Sequence, residues 1–186
     1  MASFKLRRSH IKKAALIIAA IGAILYPQLD LTKEVKGRVV GITDGDTLTL
    51  LAEGNRQVKV RLAEIDTPES KQPYGSRAKQ ELSSLAYDKR VRVKVQATDK
   101  YGRTVGRVYV DGDPATQVPT VDVNAEMVRR GAAWVYRGYS NDPSFLFLEE
   151  EAKREKRGLW SLPESQRTPP WEWRKENKLK PRANGI

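Results

Sequence analysis

The 186-residue chain carries 34 Lys and Arg against 23 Asp and Glu, a formal net charge of +11, and has room for one self-sufficient domain with tails but not for two large ones. It has no cysteine, which excludes a disulfide framework, a thiolate metal site and a thiol nucleophile. Its single histidine, His10, lies in a basic N-terminal stretch, so chemistry in the folded part must proceed without imidazole, which sets aside the His-based hydrolases and the usual zinc hydrolases.

Five bases, Lys5, Arg7, Arg8, Lys12 and Lys13, precede the apolar run Ala14–Tyr26, which is followed by Pro27 and a polar exit at Gln28 and Asp30. This is the layout of a signal sequence. The run is short against the ~20 residues that span a bilayer as a helix. Residues 1–30 are therefore read as a cleavable signal or a short membrane anchor. Bases ahead of the run favour an N-in, C-out orientation, which places the rest of the chain outside the cytoplasm, secreted or membrane-anchored. With those five set aside, 29 basic residues still face 23 acidic ones. That balance suits a polyphosphate partner through counterion release, and it suits equally well a solvated surface that leans toward Lys.

From Val35 the pattern turns to strands. Val39, Val40 and Ile42 lead into Asp44-Gly45, and Thr47–Leu51 returns; Asp-Gly predicts a two-residue hairpin turn with φ > 0 at both positions. Gly54-Asn55 marks a second turn. Over Gln57–Ile65, Val58, Val60 and Leu62 share one face while Lys59 and Arg61 share the other. Tyr74–Tyr87 has helical spacing, with Ala78, Leu82, Leu85 and Ala86 on one side. Val91, Val93 and Val95 alternate with Arg90, Arg92 and Lys94 as a half-buried strand. Asp99–Gly102 is a turn, Val105–Val110 a fifth strand, and Asp113–Thr120 a loop insertion. Helices are predicted at Val123–Arg130, ended by Gly131, and at Pro143–Arg157, ended by Gly158.

Three strands, a helix, two strands and terminal helices follow the order of an OB-fold: an α+β domain built on a five-stranded barrel with one inserted helix and C-terminal helices. The domain is placed at residues 35–162. A Pro- and Trp-rich tail occupies 163–186, with Trp171 and Trp173, like Trp160 just before it, expected to pack on the barrel and a polar end, Lys178–Ile186, whose composition suits disorder.

The densest cluster of reactive side chains is Arg61-Leu-Ala-Glu-Ile-Asp66-Thr67-Pro68-Glu69, at the end of one strand and in the loop after it. Pro68 fixes its own φ and biases Thr67 toward extended geometry, so the flanking carboxylates are held in a defined bend. Asp44-Gly45-Asp46-Thr47 adds two carboxylates in a tight turn, and Asp99-Lys100-Tyr101-Gly102-Arg103 adds an arginine near another. Each segment alone has a plain structural explanation as a turn, a loop or a solvated arginine.

Together and in this order the three segments resemble the thermonuclease (staphylococcal nuclease) family, with support from Val123-Asn-Ala-Glu-Met-Val-Arg-Arg-Gly131 and Lys156-Arg-Gly-Leu-Trp160; the resemblance runs from about Val35 to Trp173. It implies an OB-fold nuclease that cuts phosphodiester bonds in DNA or RNA with calcium, acting as a monomer. By the family's pattern Asp46, Asp66 and the main-chain carbonyl of Thr67 would ligate the ion. Glu69 would act on the attacking water, Arg61 and Arg103 would hold the scissile phosphate, and Tyr101 would contact the nucleotide. Tyr136 and Tyr139 stand where the family's two stacking tyrosines are sought. The segment Ser70-Lys-Gln-Pro73 is shorter than its counterpart in the best-known secreted member, so substrate preference does not carry over.

The chemistry agrees with those roles. Calcium takes 6–8 oxygen ligands, so two carboxylates and a carbonyl leave places for water and a phosphate oxygen. Two guanidinium forks meet the charge that builds on the phosphorane oxygens, and a carboxylate near the ion can serve as general base. The rival from another class is a non-catalytic OB-fold nucleic-acid-binding protein tethered to the membrane. It gives no reason to set Asp46, Asp66 and Glu69 beside a phosphate that they would repel. A membrane-tethered interaction protein with a basic face toward anionic lipid leaves the same cluster without a role.

Overall fold

The computed structural model describes residues 33–113, 115–140 and 142–179. The segment read as a signal or anchor lies outside the described residues, as do residues 180–186. Among the described residues no helix is long and apolar enough to cross a membrane.

Strands β1 (Glu34–Ile42), β2 (Thr47–Ala52) and β3 (Arg56–Leu62) form an antiparallel meander. The two-residue strand β4 (Ile65–Asp66) and helix α1 (Gly75–Ala86) follow, then β5 (Arg90–Thr98) and β6 (Thr104–Val110). The order β3-β2-β1-β5-β6 closes on itself because β3 also pairs with β6, in parallel, through Val60↔Thr104, Arg61↔Val105 and Leu62↔Gly106. The result is the expected five-stranded barrel, closed along these three register pairs. A short β7 (Val121–Asp122) adds to the outer edge of β6. It leads into α2 (Val123–Arg129), β8 (Trp134–Val135), α3 (Pro143–Arg154) and a C-terminal α4 (Pro170–Leu179).

The predicted alternation sets the core. Val58, Val60 and Leu62 of β3 and Val91 and Val93 of β5 are buried, and they meet Val39, Leu48 and Leu50 from the hairpin and Leu82, Met127, Val128 and Phe145 from the helices. Asn124, fully buried at the start of α2, accepts from Val108 N at 3.0 Å and donates to Ala63 O at 2.9 Å and Gly106 O at 3.3 Å. It satisfies main-chain groups where β3 ends beside β6, and leaving one such group unpaired costs ~1–3 kcal/mol. On the far side of the barrel wall, Arg107 in β6 gathers Glu64, Asp122 and Asp142 and lies over the Phe145 ring at 4.3 Å. Burial works against its charge, but its hydrogen bonds to Asp142 and Glu64 prevail and hold its pKa above the usual arginine value.

Two local expectations change. Asp44-Gly45 is not a two-residue turn: β1 stops at Ile42 and β2 starts at Thr47, the loop is closed by Thr43 N to Thr47 O at 2.8 Å, and Gly45 is not at positive φ. What Gly45 supplies is closeness, since a Cβ there would lie 2.6 Å from Thr67 Oγ1 and 2.8 Å from Ala78 Cβ. Gly54-Asn55, by contrast, does take positive φ at both residues, 70° and 57°. In the tail, Lys178 belongs to α4 and not to an unstructured end. Pro170 at the helix start has its φ preset for a first turn, and half-buried Trp171 and Trp173 give the helix a face to pack.

Candidate active site

The site forms where the loop before β2, the end of β3 and the bend after β4 converge. Register brings them together: Thr47 faces Arg61 across β2 and β3, and Leu62 N donates to Asp46 O at 2.8 Å, so Asp46 arrives beside Arg61. Strand β4 is held by β8 through Ile65↔Val135 and Asp66↔Trp134, which carries Asp66 back over the same spot. β8 is itself fixed by the buried Glu149, which accepts from Val135 N at 2.8 Å and from Lys153 Nζ at 2.9 Å.

Arg61 is the hub. Its Nη2 donates to Asp66 Oδ1 at 3.0 Å and to Asp46 Oδ2 at 3.4 Å, while Nη1 reaches the carbonyls of Leu62 at 3.2 Å and Ile65 at 3.3 Å. Asp46 also accepts from Thr47 Oγ1 at 3.1 Å and from Thr67 N at 3.3 Å, so the Asp-Thr-Pro-Glu bend is tied to the carboxylate opposite it. Asp46, Asp66 and Thr67 are all buried, with Asp66 only 1 % exposed. Burial raises the Asp66 pKa and the neighbouring Asp46 charge adds to this, while arginine contacts oppose it. Asp44 is likewise raised, first by burial and then by Asp46.

Two close carboxylates under a low dielectric call for a cation. Among the described residues no three acids, histidines or cysteines converge tightly enough to hold a metal alone. Asp46 and Asp66 bring buried carboxylate oxygens together, the donor chemistry that a hard ion takes. These residues fit such an ion.

The remaining expected residues divide into two groups. Arg103 stands just ahead of β6 and reaches the cluster through Thr47, Nη1 to Oγ1 at 3.4 Å; its Nε donates to Asp99 Oδ2 at 2.7 Å. Asp99 accepts besides from the Arg103 and Tyr101 main-chain N–H groups. Those bonds keep its pKa low although burial would raise it. Tyr101 projects into solvent, 72 % exposed, with Lys100 and Arg103 over its ring. Tyr136 and Tyr139 lie beyond β8 with ring centroids 4.8 Å apart, Tyr136 half-buried and Tyr139 exposed. Neither contacts the carboxylates.

One participant escaped the sequence reading. Arg174 of α4 donates from Nη2 to Asp66 Oδ2 at 2.7 Å, and from Nη1 to Asp66 Oδ1 at 3.2 Å and Glu69 Oε1 at 2.8 Å. Burial opposes its charge, yet the bonds to Asp66 and Glu69 raise its pKa. It lies 108 residues from Asp66, and within a tail read as packing it had no local signal beyond the Pro-Pro helix start.

Comparison with known proteins places this geometry. The family model described as staphylococcal nuclease homologue matches residues 59–162, more than half the chain. A micrococcal nuclease of Shigella flexneri is 43% identical over 169 residues, covering 89% of this chain and 95% of the relative. A protein of Escherichia coli named ParB is 42% identical over 174 residues, 92% and 95% of the two chains, and an uncharacterized endonuclease of Haemophilus influenzae is 43% identical over 142 residues, 76% and 74%. The chain belongs to the staphylococcal nuclease family, whose class is that of phosphodiester-hydrolysing enzymes. A binding-only OB-fold module is disfavoured accordingly.

Proposed function

We propose that the protein is a calcium-dependent nuclease that hydrolyses phosphodiester bonds in DNA or RNA. The observation that carries this reading is the buried Asp46–Arg61–Asp66 junction, where one guanidinium nitrogen serves two carboxylates. Asp46, Asp66 and the Thr67 carbonyl would hold the ion. When bound, it would supply Lewis-acid polarisation of the phosphate and charge neutralisation. Glu69, at the rim of the bend, takes the proton of the attacking water. Arg61 and Arg103 bind the scissile phosphate, where planar forks match the oxygens of the transition state better than an ammonium does. Tyr101 lies against the nucleotide, with Tyr136 and Tyr139 as a stacking platform for a neighbouring base. The protein acts as a monomer, and its N-terminal segment exports it or tethers it outside the cytoplasm.

Plasmid degradation by the full-length protein, with calcium and with excess chelator, tests the metal. Loss of activity in chelator and recovery with calcium is expected; full activity in chelator removes the ion from the mechanism. A reporter fused after Asp30 that stays active only inside the cytoplasm, with no membrane or external fraction, overturns the export reading.

A further inference from the structure

We infer that helix α4 is a latch over the active site, in which the Arg174 guanidinium takes the cation place between Asp66 and Glu69 and must leave before a divalent ion is held there. This rests on the roles given above to Asp66 and Glu69.

The first observation is chemical. Both Asp66 oxygens accept from Arg174, and Oδ1 also accepts from Arg61, so this nearly inaccessible carboxylate has its charge met from two sides by protein donors. A divalent ion at Asp66 would stand against a guanidinium bonded to the same oxygens, and two cations at contact distance in a partly desolvated site repel strongly. The Arg174 bond to Glu69 Oε1 meanwhile occupies the proposed base. One side chain thus stands in for the ion and holds the base.

The second observation is independent of charge. Trp171, one turn before Arg174, stacks on Tyr136 with centroids 5.4 Å apart and planes 10° from parallel, and meets Trp134 edge-on at 5.9 Å. Parallel stacking on an exposed aromatic is how a single-stranded base is held. Trp171 therefore covers the face that a nucleobase would use. Residues three apart share a helix side, so α4 turns a charged mimic of the ion and an aromatic mimic of the base toward the site together.

The third observation is that the helix is tethered but lightly docked. Gln72 binds both ends of the connection: its Nε2 donates to Thr168 O at 2.7 Å, and its Oε1 accepts from Glu69 N at 2.9 Å. The attachment point of the strap is thus the loop that carries Glu69. Beyond it, Glu172, Lys175, Glu176, Asn177 and Lys178 are exposed. Beside the Arg174–Glu69 contact an open cleft of about 540 Å³ runs between the Glu69–Lys71 loop and the Trp173, Asn177 and Lys178 side of α4. Elements with few buried apolar contacts occupy the low-stability end of a fold and open first.

The test uses the full-length protein, calcium calorimetry and hydrogen exchange of the α4 amides. Arg174→Gln should bind calcium roughly tenfold more tightly than wild type, the scale set by charge-assisted hydrogen bonds in a partly exposed place. Arg174→Lys, which keeps the cation, should fall between the two. In wild type, calcium should speed exchange in α4, and in Arg174→Gln exchange should be fast before calcium is added. Equal affinity in wild type and Arg174→Gln, or slower α4 exchange with calcium, overturns the latch while the metal reading stands. Absence of calcium binding by both proteins overturns the metal reading and the latch with it.

Discussion

Two clusters on this barrel join arginine to three carboxylates, and they are built for opposite ends. At the wall, a single Arg107 meets Glu64, Asp122 and Asp142. At the site, Arg61 and Arg174 share Asp46, Asp66 and Glu69. Counting charges alone, the wall is the more acidic of the two. Its acids are nonetheless satisfied, because Asp122 caps α2 by accepting from Ala125 N and Asp142 caps α3 by accepting from Ser144 N, so helix N-termini absorb their charge. No helix starts at Asp46 or Asp66. Compensation that comes from a neighbour's backbone is permanent, whereas compensation lent by a distant tail can be withdrawn. An acidic cluster is available to a ligand when its counter-charge is removable, not when it is merely numerous.

The contrast can be broken most sharply at the site. Glu69→Gln should lower turnover by ~10²-fold or more, the contribution of a positioned acid–base group, and Asp66→Asn should raise the calcium needed for half-maximal activity. Steady-state turnover with calcium titration separates the two. Glu69→Gln should cost little folding stability, and a large loss of Tm there would show the site to be as structural as the wall.

Arg107→Ala should do the reverse. Removing one partner of an ion cluster costs about 3–5 kcal/mol at full burial, and the half-buried state of this one brings the expected loss to roughly 1–3 kcal/mol, read by urea denaturation. Calcium affinity should be unchanged.

Acid should find the wall as well. Hydrogen bonds from Ser144 and Arg107 hold the Asp142 carboxyl down at about 2, below its ordinary 3.8. The stability it contributes is complete above the ordinary value and is lost as pH falls from about 4 to about 2. Thermal unfolding between pH 5 and 2 should therefore show a slope that is shallower in Asp142→Asn.

The smallest effect is expected from Trp171→Ala. Loss of a stacking pair worth ~0.5–1.5 kcal/mol should loosen α4 and tighten calcium binding by roughly two- to tenfold. Unchanged affinity would leave Arg174 as the whole of the latch.

The barrel was legible in the sequence because it depends on short-range patterns, whereas the candidate site residues were named through the resemblance of three ordered segments to a family. Alternation at Val58–Leu62 and Val91–Val95 named the inward faces, and Asp46, Arg61, Asp66 and Glu69 lie within 24 residues of one another. Gly45 was read as a conformational requirement when it is a steric one, because the Thr67 and Ala78 side chains it touches arrive from elsewhere in the chain. Strand β8 is two residues long and carries no period that could announce it. Arg174 shows the boundary most clearly. Its chain neighbours Glu172 and Glu176 are not its partners, and its role exists only once α4 has folded back.

The parallel pairing of β3 with β6 gives the molecule an order of assembly in time. A chain emerging from its N-terminus presents Asp46, Asp66 and Glu69 early, but the barrel around them cannot close until β6 has appeared, and Asp66 lacks its strand partner until Trp134 follows. Local structure forms first and long-range pairings wait for the residues that complete them. The counter-charge from α4 follows later still. A newly made copy therefore passes through an interval in which its acids are assembled and their second cation has not yet arrived, and it shuts only once α4 has emerged.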